Sequence, residues 1–383
     1  MGAKVFDEQL NAYEAVDNRL NFQVRRSRLG VKGKLTPNLK FNFTTAIDLV
    51  GRDLLAGTEA GSNNGSSPKL RLWNVYLQWQ PIAGNKKLNL VSGYLLPQIG
   101  RESITSALRS NSLEKSWSQN YLRRHLTGIG PGRSLGINLG GLFIEDNRKI
   151  NAAYHAGIFN PAFRDLGNNS VGNTYSPLFV GRFELFIGDP EIKDYKLSRK
   201  INHFGKRKGI TLSASGAYQA QTELFNNNTA LSFDALLNLD KLNIDGEWTL
   251  LSREGTRGQN DSTKKLSTSA STGYLRVGYN LKLQQGLVLE PVAMFVFLNG
   301  ATDSAEQEET AQLQAFAGIE YIYGAGFNLY FNPNLKLSLH YTHRYGDAGD
   351  AAPGASFNNY FFQSGVGAIQ RGNWLGLGIV AVY

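Results

Sequence analysis

The sequence predicts an all-β chain folded as one transmembrane antiparallel β-barrel of sixteen strands spanning 1–383, and three observations predict it. Apolar and polar residues alternate with period two in segment after segment. The connections alternate between short turns and long polar loops, as in barrels whose two rims face different compartments. The last segment, "NWLGLGIVAVY", is an aliphatic strand that ends on the aromatic Tyr383. Composition agrees: 42% of the 383 residues are hydrophobic, 11% aromatic and only 19% charged, with 42 glycines, a balance that fits strands and turns better than disorder or helices. No apolar run reaches the roughly eighteen residues of a membrane helix, a test that is blind to alternating strands.

Taken in order, the strands are expected at 1–10 (incomplete), 19–35, 38–50, 69–81, 87–96, 133–145, 149–160, 176–187, 208–221, 230–239, 241–253, 272–285, 286–299, 312–331, 334–345 and 373–383. An even count places both chain ends on the short-turn, periplasmic rim. In "LKFNFTTAIDLV", Leu39, Phe41, Phe43, Ile47 and Leu49 share one face, and Lys40, Asn42, Thr44, Ala46 and Asp48 share the other. A soluble sandwich alternates in the same way. Strand length favours the membrane, because several segments reach the roughly 9–11 residues that cross a bilayer obliquely. Trp73, Trp79, Tyr94, Tyr321, Tyr323, Tyr345 and Trp374 near their ends read as interface anchors.

Lysine and arginine number 40 against 31 acids, a net charge of +9. With no cysteine, the chain has no disulfide staple and no thiolate metal site. In the second strand, period two puts Arg26, Arg28, Lys32 and Lys34 on one face and Leu29, Val31 and Leu35 on the other. The apolar face must meet lipid or a neighbouring subunit, so the cations face the lumen. Lys40 follows on the next strand. Arg182, Arg276, Lys282, Lys336 and Arg344 also fall on lumen faces, as do Asp234, Asp245 and Glu247, so the wall is mixed. Same-face neighbours lie about 6.6 Å apart along a strand, inside the ~8 Å screening length at physiological salt. An anion on this wall therefore always senses more than one cation. Arginine binds phosphate oxygens through its fork, while lysine acts as a point charge. The competing reading of Arg26 to Lys34 is a solvated face that touches lipopolysaccharide.

One stretch breaks the alternation. Residues 97–132 are too long for an idle loop and carry Arg101, Arg109, Lys115, Arg123 and Arg124 against Glu102 and Glu114. These cations, with Arg133 at the exit of the segment, are candidates to line an anion path. The competing reading is that they form salt bridges that hold the loop to the wall. "GIGPGRS" (128–134) matches no nucleotide fingerprint and reads as the return to a strand. The basic "KLSRKINHFGKRKG" (196–209) reads as a solvated turn on the periplasmic rim. The five histidines form no metal spacing, and no catalytic constellation is visible, so neither a cofactor nor an enzyme activity is expected.

Three segments carry a family resemblance: "FQVRRSRLGVKGKLTPNLKF", "YLRRHLTGIGPGRSLGINLGG" and "GFNLYFNPNLKLSLHY". They resemble, respectively, a second-strand hairpin, the end of the inward third loop and a late hairpin of the phosphate- and pyrophosphate-selective porins (O and P types). Where that family shows an aromatic-aliphatic-Glu-Arg run, this chain has Tyr121-Leu122-Arg123-Arg124 and is more basic. The resemblance implies a bacterial outer-membrane homotrimer, each pore with a constriction loop and a basic path for small anions. The function expected is passive diffusion with anion selectivity of the phosphate class. Outer-membrane lipid and lipopolysaccharide are the expected surroundings, and no nucleic acid is expected as a partner. The alternatives are a weakly selective general-diffusion porin and a partner-binding barrel with a plugged pore.

Overall fold

A computed structural model of the chain describes residues 3–7, 9–53, 55, 69–145, 149–161, 173–259, 262–347, 360–363 and 367–382. Tyr383 lies outside the described residues.

Sixteen strands form one antiparallel sheet. Its path begins at Val24–Thr36, Leu39–Val50, Arg71–Trp79 and Asn89–Leu95, and continues through Ser134–Phe143, Ile150–Asn160, Leu178–Gly188 and Gly209–Gln219. Asn227–Leu239, Leu242–Gln259, Ser262–Tyr279, Val288–Asn299, Ile319–Asn332, Leu335–Asp347 and Trp374–Ala381 complete it, with the two-residue Leu281–Lys282 paired to Val288–Asn299. Each long strand pairs with its sequence neighbours, the topology of an up-and-down transmembrane barrel.

Burial shows which solvent the sheet was built for. In Leu178–Gly188 the buried face carries Arg182 and Glu184, while Phe179, Phe183 and Ile187 are exposed. In Leu335–Asp347 Lys336, Ser338, His340 and Arg344 are buried, and Leu339, Tyr341 and Tyr345 are exposed. On the last strand Leu377 and Ile379 are 70% and 76% exposed. A water-soluble sheet would invert this pattern. Apolar-out and polar-in is the arrangement that hydrocarbon demands of a barrel, whose strands satisfy their backbone groups by pairing with one another. Phe295, Tyr321 and Tyr345 stack in sequence across three neighbouring strands, with centroids 6.1 and 6.4 Å apart, as part of the outward aromatic band.

Several expectations are corrected. Lys4–Asp7 is too short to cross a bilayer and is not in the large sheet. It pairs with Ala12–Ala15 and Gly367–Gln370, which continues to Tyr360–Gln363, in a separate four-stranded sheet. Lys4–Asp7 and Ala12–Ala15 thereby sit on the long-loop rim, not the short-turn rim. Leu242–Gln259 and Ser262–Tyr279 pair over eighteen residues each, so the expected long loop between them is a hairpin. The strand expected from 312 begins at Ile319, because Ser304–Gln312 is a helix whose N-cap Asp303 accepts from the Glu306 N–H at 3.0 Å. Trp374 is buried rather than an interface anchor. Finally, 196–209 is not a solvated turn: Leu197, Arg199, Ile201, Asn202, His203 and Arg207 are buried.

Candidate functional site in the lumen

Residues 97–132 leave Asn89–Leu95 and cross the interior as two helices, Arg101–Ile104 and Ser118–Thr127, joined through the 3-10 turn Ala107–Arg109. Ile99, Trp117, Tyr121, Leu122 and Leu126 pack into a cluster with inward apolar residues of the wall such as Leu178, Phe186 and Val296. Gly128, left-handed at φ 72°, ends the longer helix, and its N–H donates to the Arg124 carbonyl at 2.9 Å. Gly132 is also left-handed, and a Cβ there would lie 2.4 Å from Arg123 Cγ. Only glycine lets the Arg123 side chain pass. "GIGPGRS" thus performs the return to Ser134–Phe143.

One part of the lumen is a ladder of neutralised charge. Arg101 Nη1 and Nη2 donate to Glu191 at 3.1 and 3.2 Å, and its Nε donates to Asp234 at 3.1 Å. Asp234 also accepts from Arg182 at 2.6 and 3.0 Å, Arg182 donates to Glu184 at 2.9 Å, and Arg199 reaches Glu184 at 2.5 Å. Beside it, Arg276 bonds Glu102 at 2.9 and 3.2 Å and Asp245 at 2.6 and 3.1 Å, while Glu247 accepts the Glu102 N–H at 3.0 Å. Arg109 donates to the Pro333 carbonyl at 2.7 Å and to Asn334 at 3.0 Å. Arg101 and Arg109 therefore anchor the loop.

The other part gathers cations. Arg25 and Arg26 both hold Glu114, Arg25 at 2.5 and 2.7 Å, and Arg26 also donates to the Leu113 carbonyl at 3.2 Å. Arg28 pairs with Asp48 and lies 3.8 Å above the Trp73 ring. Arg133 lies 3.5 Å from the same ring, with Nε to Asn74 at 3.0 Å and Nη1 to the Pro131 carbonyl at 2.8 Å. Lys115 Nζ donates to the Thr105 carbonyl at 2.8 Å, and Arg123 Nε donates to Ser103 Oγ at 2.9 Å. Lys115, Arg123 and Arg133 thus meet neutral oxygens. Arg124, one residue on in a helix of 3.6 residues per turn, points away from Arg123 and is exposed.

Register places Arg26 opposite Asp48, Lys32 opposite Asn42 and Lys34 opposite Lys40, so these residues share the face that carries buried Asn42 and Thr44. Lys32 and Lys34 are exposed, and Lys40 is half-buried. Trp73, expected as an interface anchor, is corrected. A register shift between Thr44 and Thr45 leaves it unpaired between Leu72 and Asn74, and such a bulge re-aims one side chain. Trp73 therefore turns inward beneath two guanidiniums instead of anchoring the interface. The only visible signal was the adjacency of Leu72 and Trp73 in a period-two run.

The two parts treat charge differently. Burial works against the Arg101 cation, but Glu191 and Asp234 outweigh it and hold its pKa well above the ordinary value. Burial, then the nearby Arg123 charge, lowers Lys115 well below the usual lysine range. Burial brings Arg123 down to about 10 even with Glu102 and Glu247 opposing. Arg133 is lowered by burial and then by Arg123 and Arg28. Glu114 is the local counter-charge: burial opposes its ionisation, and Arg25 and Arg26 prevail, keeping it below the usual carboxylate range.

Comparison with known proteins agrees with this architecture. The solved anion-selective porin from Comamonas acidovorans is similar over 100% of this chain and 96% of its own length, at 13% identity and a TM-score of 0.55. Pseudomonas putida OprB, in its high-pH structure, is similar over 93% and 87%, at 10% identity and a TM-score of 0.54. No curated protein sequence matches the chain. The sequence profile of the family described as phosphate-selective porin O and P matches residues 2–356. A sixteen-stranded sheet with lipid-facing aliphatics and an inward loop therefore carries the sequence of a channel of the bacterial outer membrane, and the chain belongs to the phosphate-selective porin O and P family.

Proposed function

We propose that this porin conducts small anions of the phosphate class by passive diffusion, past Arg26, Arg28, Lys115, Arg123 and Arg133. The observation that carries the proposal is that Lys115, Arg123 and Arg133, drawn together by the loop, meet neutral oxygens instead of carboxylates. Their field is left for a passing anion. At an effective dielectric of about 20, two unit charges 4 Å apart interact by about 4 kcal/mol before desolvation, so several cations sharing one path attract without forming a single deep trap. Lys32, Lys34 and Lys40 extend that path toward the short-turn rim. Arg101 and Arg109 leave it and become anchors. The selectivity printed for the Comamonas acidovorans porin and the family's description point the same way. Assembly as a homotrimer in lipid and lipopolysaccharide belongs to the same proposal.

The test is the reversal potential of single channels across a KCl gradient, with and without phosphate. Anion preference, and block of chloride current by phosphate, are expected; cation preference sinks the proposal. A second reading, a barrel stopped by its own inward segments, is favoured by the burial of nearly all of Arg101–Ile104 and Ser118–Thr127. It predicts no conductance at all.

A further inference from the structure

The connection at 189–208 differs from its neighbours on the short-turn rim. Leu178–Gly188 and Gly209–Gln219 pair to their very ends, Gly188 opposite Gly209. The pairing therefore calls for a tight turn, yet the chain inserts a long excursion. Other hairpins on this rim turn within 37–38, 240–241 and 333–334.

The excursion runs across the lumen. Toward one side of its own hairpin, Tyr195 Oη accepts from Asn138 at 2.7 Å and meets His155 Nδ1 at 3.0 Å, and the Tyr195 carbonyl accepts from Gln78 at 3.5 Å. Toward the other side, Arg207 donates to Asn238 at 2.7 Å, and Asn202 donates to Asn280 at 2.7 Å and to Glu290 at 3.0 Å. Gln78 and Glu290 stand on Arg71–Trp79 and Val288–Asn299, each four strands away along the sheet from the hairpin that launches the segment. A segment that touches both is a chord across the interior, not a flap at the rim.

The chord also docks on the constriction loop. Thr105 and Arg199 form a parallel bridge, in which the Arg199 N–H donates to the Ile104 carbonyl and the Ser106 N–H donates to the Arg199 carbonyl, both at 3.1 Å. Arg199 is the hinge of this joint. Its backbone holds the loop, and its side chain holds Glu184 at 2.5 Å and the Lys196 carbonyl at 2.7 Å. Glu191, from the same chord, accepts both Nη atoms of Arg101. Residues alternate along the segment: Tyr195, Leu197, Arg199 and Ile201 are buried, while Lys193, Lys196, Ser198 and Lys200 are exposed. One edge is sealed into the lumen, and the other presents lysines to water.

From this geometry we propose that residues 189–208 are a second constriction element, entering from the rim opposite the loop's own, with Arg199 as the positioning residue that fixes the loop in place. The pore's narrow zone is then set by two segments clamped to each other, and the loop alone does not determine conductance. This goes beyond the proposed anion selectivity and does not depend on its sign.

The experiment uses the full chain in planar bilayers with 191–206 replaced by Asn-Gly, and separately with Arg199→Ala. Shortening is expected to raise single-channel conductance several-fold. Arg199→Ala is expected to make the open level noisy and higher, with Arg199→Lys giving partial rescue. A stabilising but non-constricting segment would lower thermal stability and leave conductance unchanged, and that result overturns the proposal. If the shortened chain does not insert, Arg199→Ala decides on the same readout. A native channel that prefers cations, yet conducts more when shortened, retires the anion reading and keeps this one. A silent native channel that opens on shortening does the same for passive conduction.

Discussion

Two regions of the same lumen use arginine for opposite purposes. From Leu178–Gly188 to Ser262–Tyr279, Arg101, Arg182, Arg199 and Arg276 each sit on carboxylates, with Glu102, Glu184, Glu191, Asp234 and Asp245 threaded between them. From Val24–Thr36 to Arg71–Trp79, with the facing loop, cations outnumber the acids Asp48 and Glu114, and three of them touch neutral groups. Charge therefore reveals little until its partner is known. A neutralised arginine is a fastener, and an uncompensated one projects a field. Buried ion pairs seldom add net stability against an apolar alternative, but losing one partner is costly.

The largest effect should come from breaking the fasteners. Arg276→Ala strands Glu102 and Asp245 and is expected to cost about 3–5 kcal/mol, read as a lowered denaturant midpoint with noisy conductance. A change no greater than that of an exposed substitution such as Lys265→Ala would remove the distinction between the two regions. Next comes the field itself. Lys115→Ala is expected to shift the anion's energy by roughly 1 kcal/mol in a water-lined passage, a several-fold fall in the anion-to-cation permeability ratio. Arg109→Ala, at an anchor bound to Pro333 and Asn334, should leave that ratio nearly unchanged. Equal effects from the two would merge the regions.

Titration sharpens the contrast with less force. Lys115 and Arg123 carry charge below their pKa values, which lie well below the usual lysine range and at about 10. As Arg123 loses its proton, anion selectivity should therefore decline as pH rises through 10. Folding should respond with the opposite sign. Between the lowered Lys115 pKa and the unfolded value of about 10.4, the unfolded chain holds the extra proton, so stability from this group rises with pH. Arg101, raised by Glu191 and Asp234, keeps its charge throughout. Selectivity that stays flat to pH 10 would show that the loop cations do not set it. The smallest effect belongs to Trp73→Leu, which removes the ring under Arg28 and Arg133. Both charges stay in place and lose only their cation–π partner, so it should shift the reversal potential by less than Lys115→Ala does, without loss of folding.

Much of this molecule was legible before any coordinates. Period two assigned the faces of Val24–Thr36 and Leu39–Val50, and register pairs Lys32 with Asn42 and Lys34 with Lys40 as that alternation requires. The break at 97–132 marked the inward loop. The four-residue Lys4–Asp7, the bulge at Trp73 and the chord at 189–208 were not legible. Nor was the sorting of cations, because Arg101 and Arg123 look alike in sequence while one meets Glu191 and the other Ser103.

Alternation along the chain was enough to assign the lipid side of the regular strands, because a side chain's face follows its parity along an extended backbone wherever no bulge intervenes. The tertiary structure alone decided which cations are neutralised, because those pairings join distant residues. Glu102 meets Arg276 across 174 positions and Arg25 meets Glu114 across 89. Contacts of that kind arise only where the curved sheet and the inward segments bring distant residues within hydrogen-bond reach.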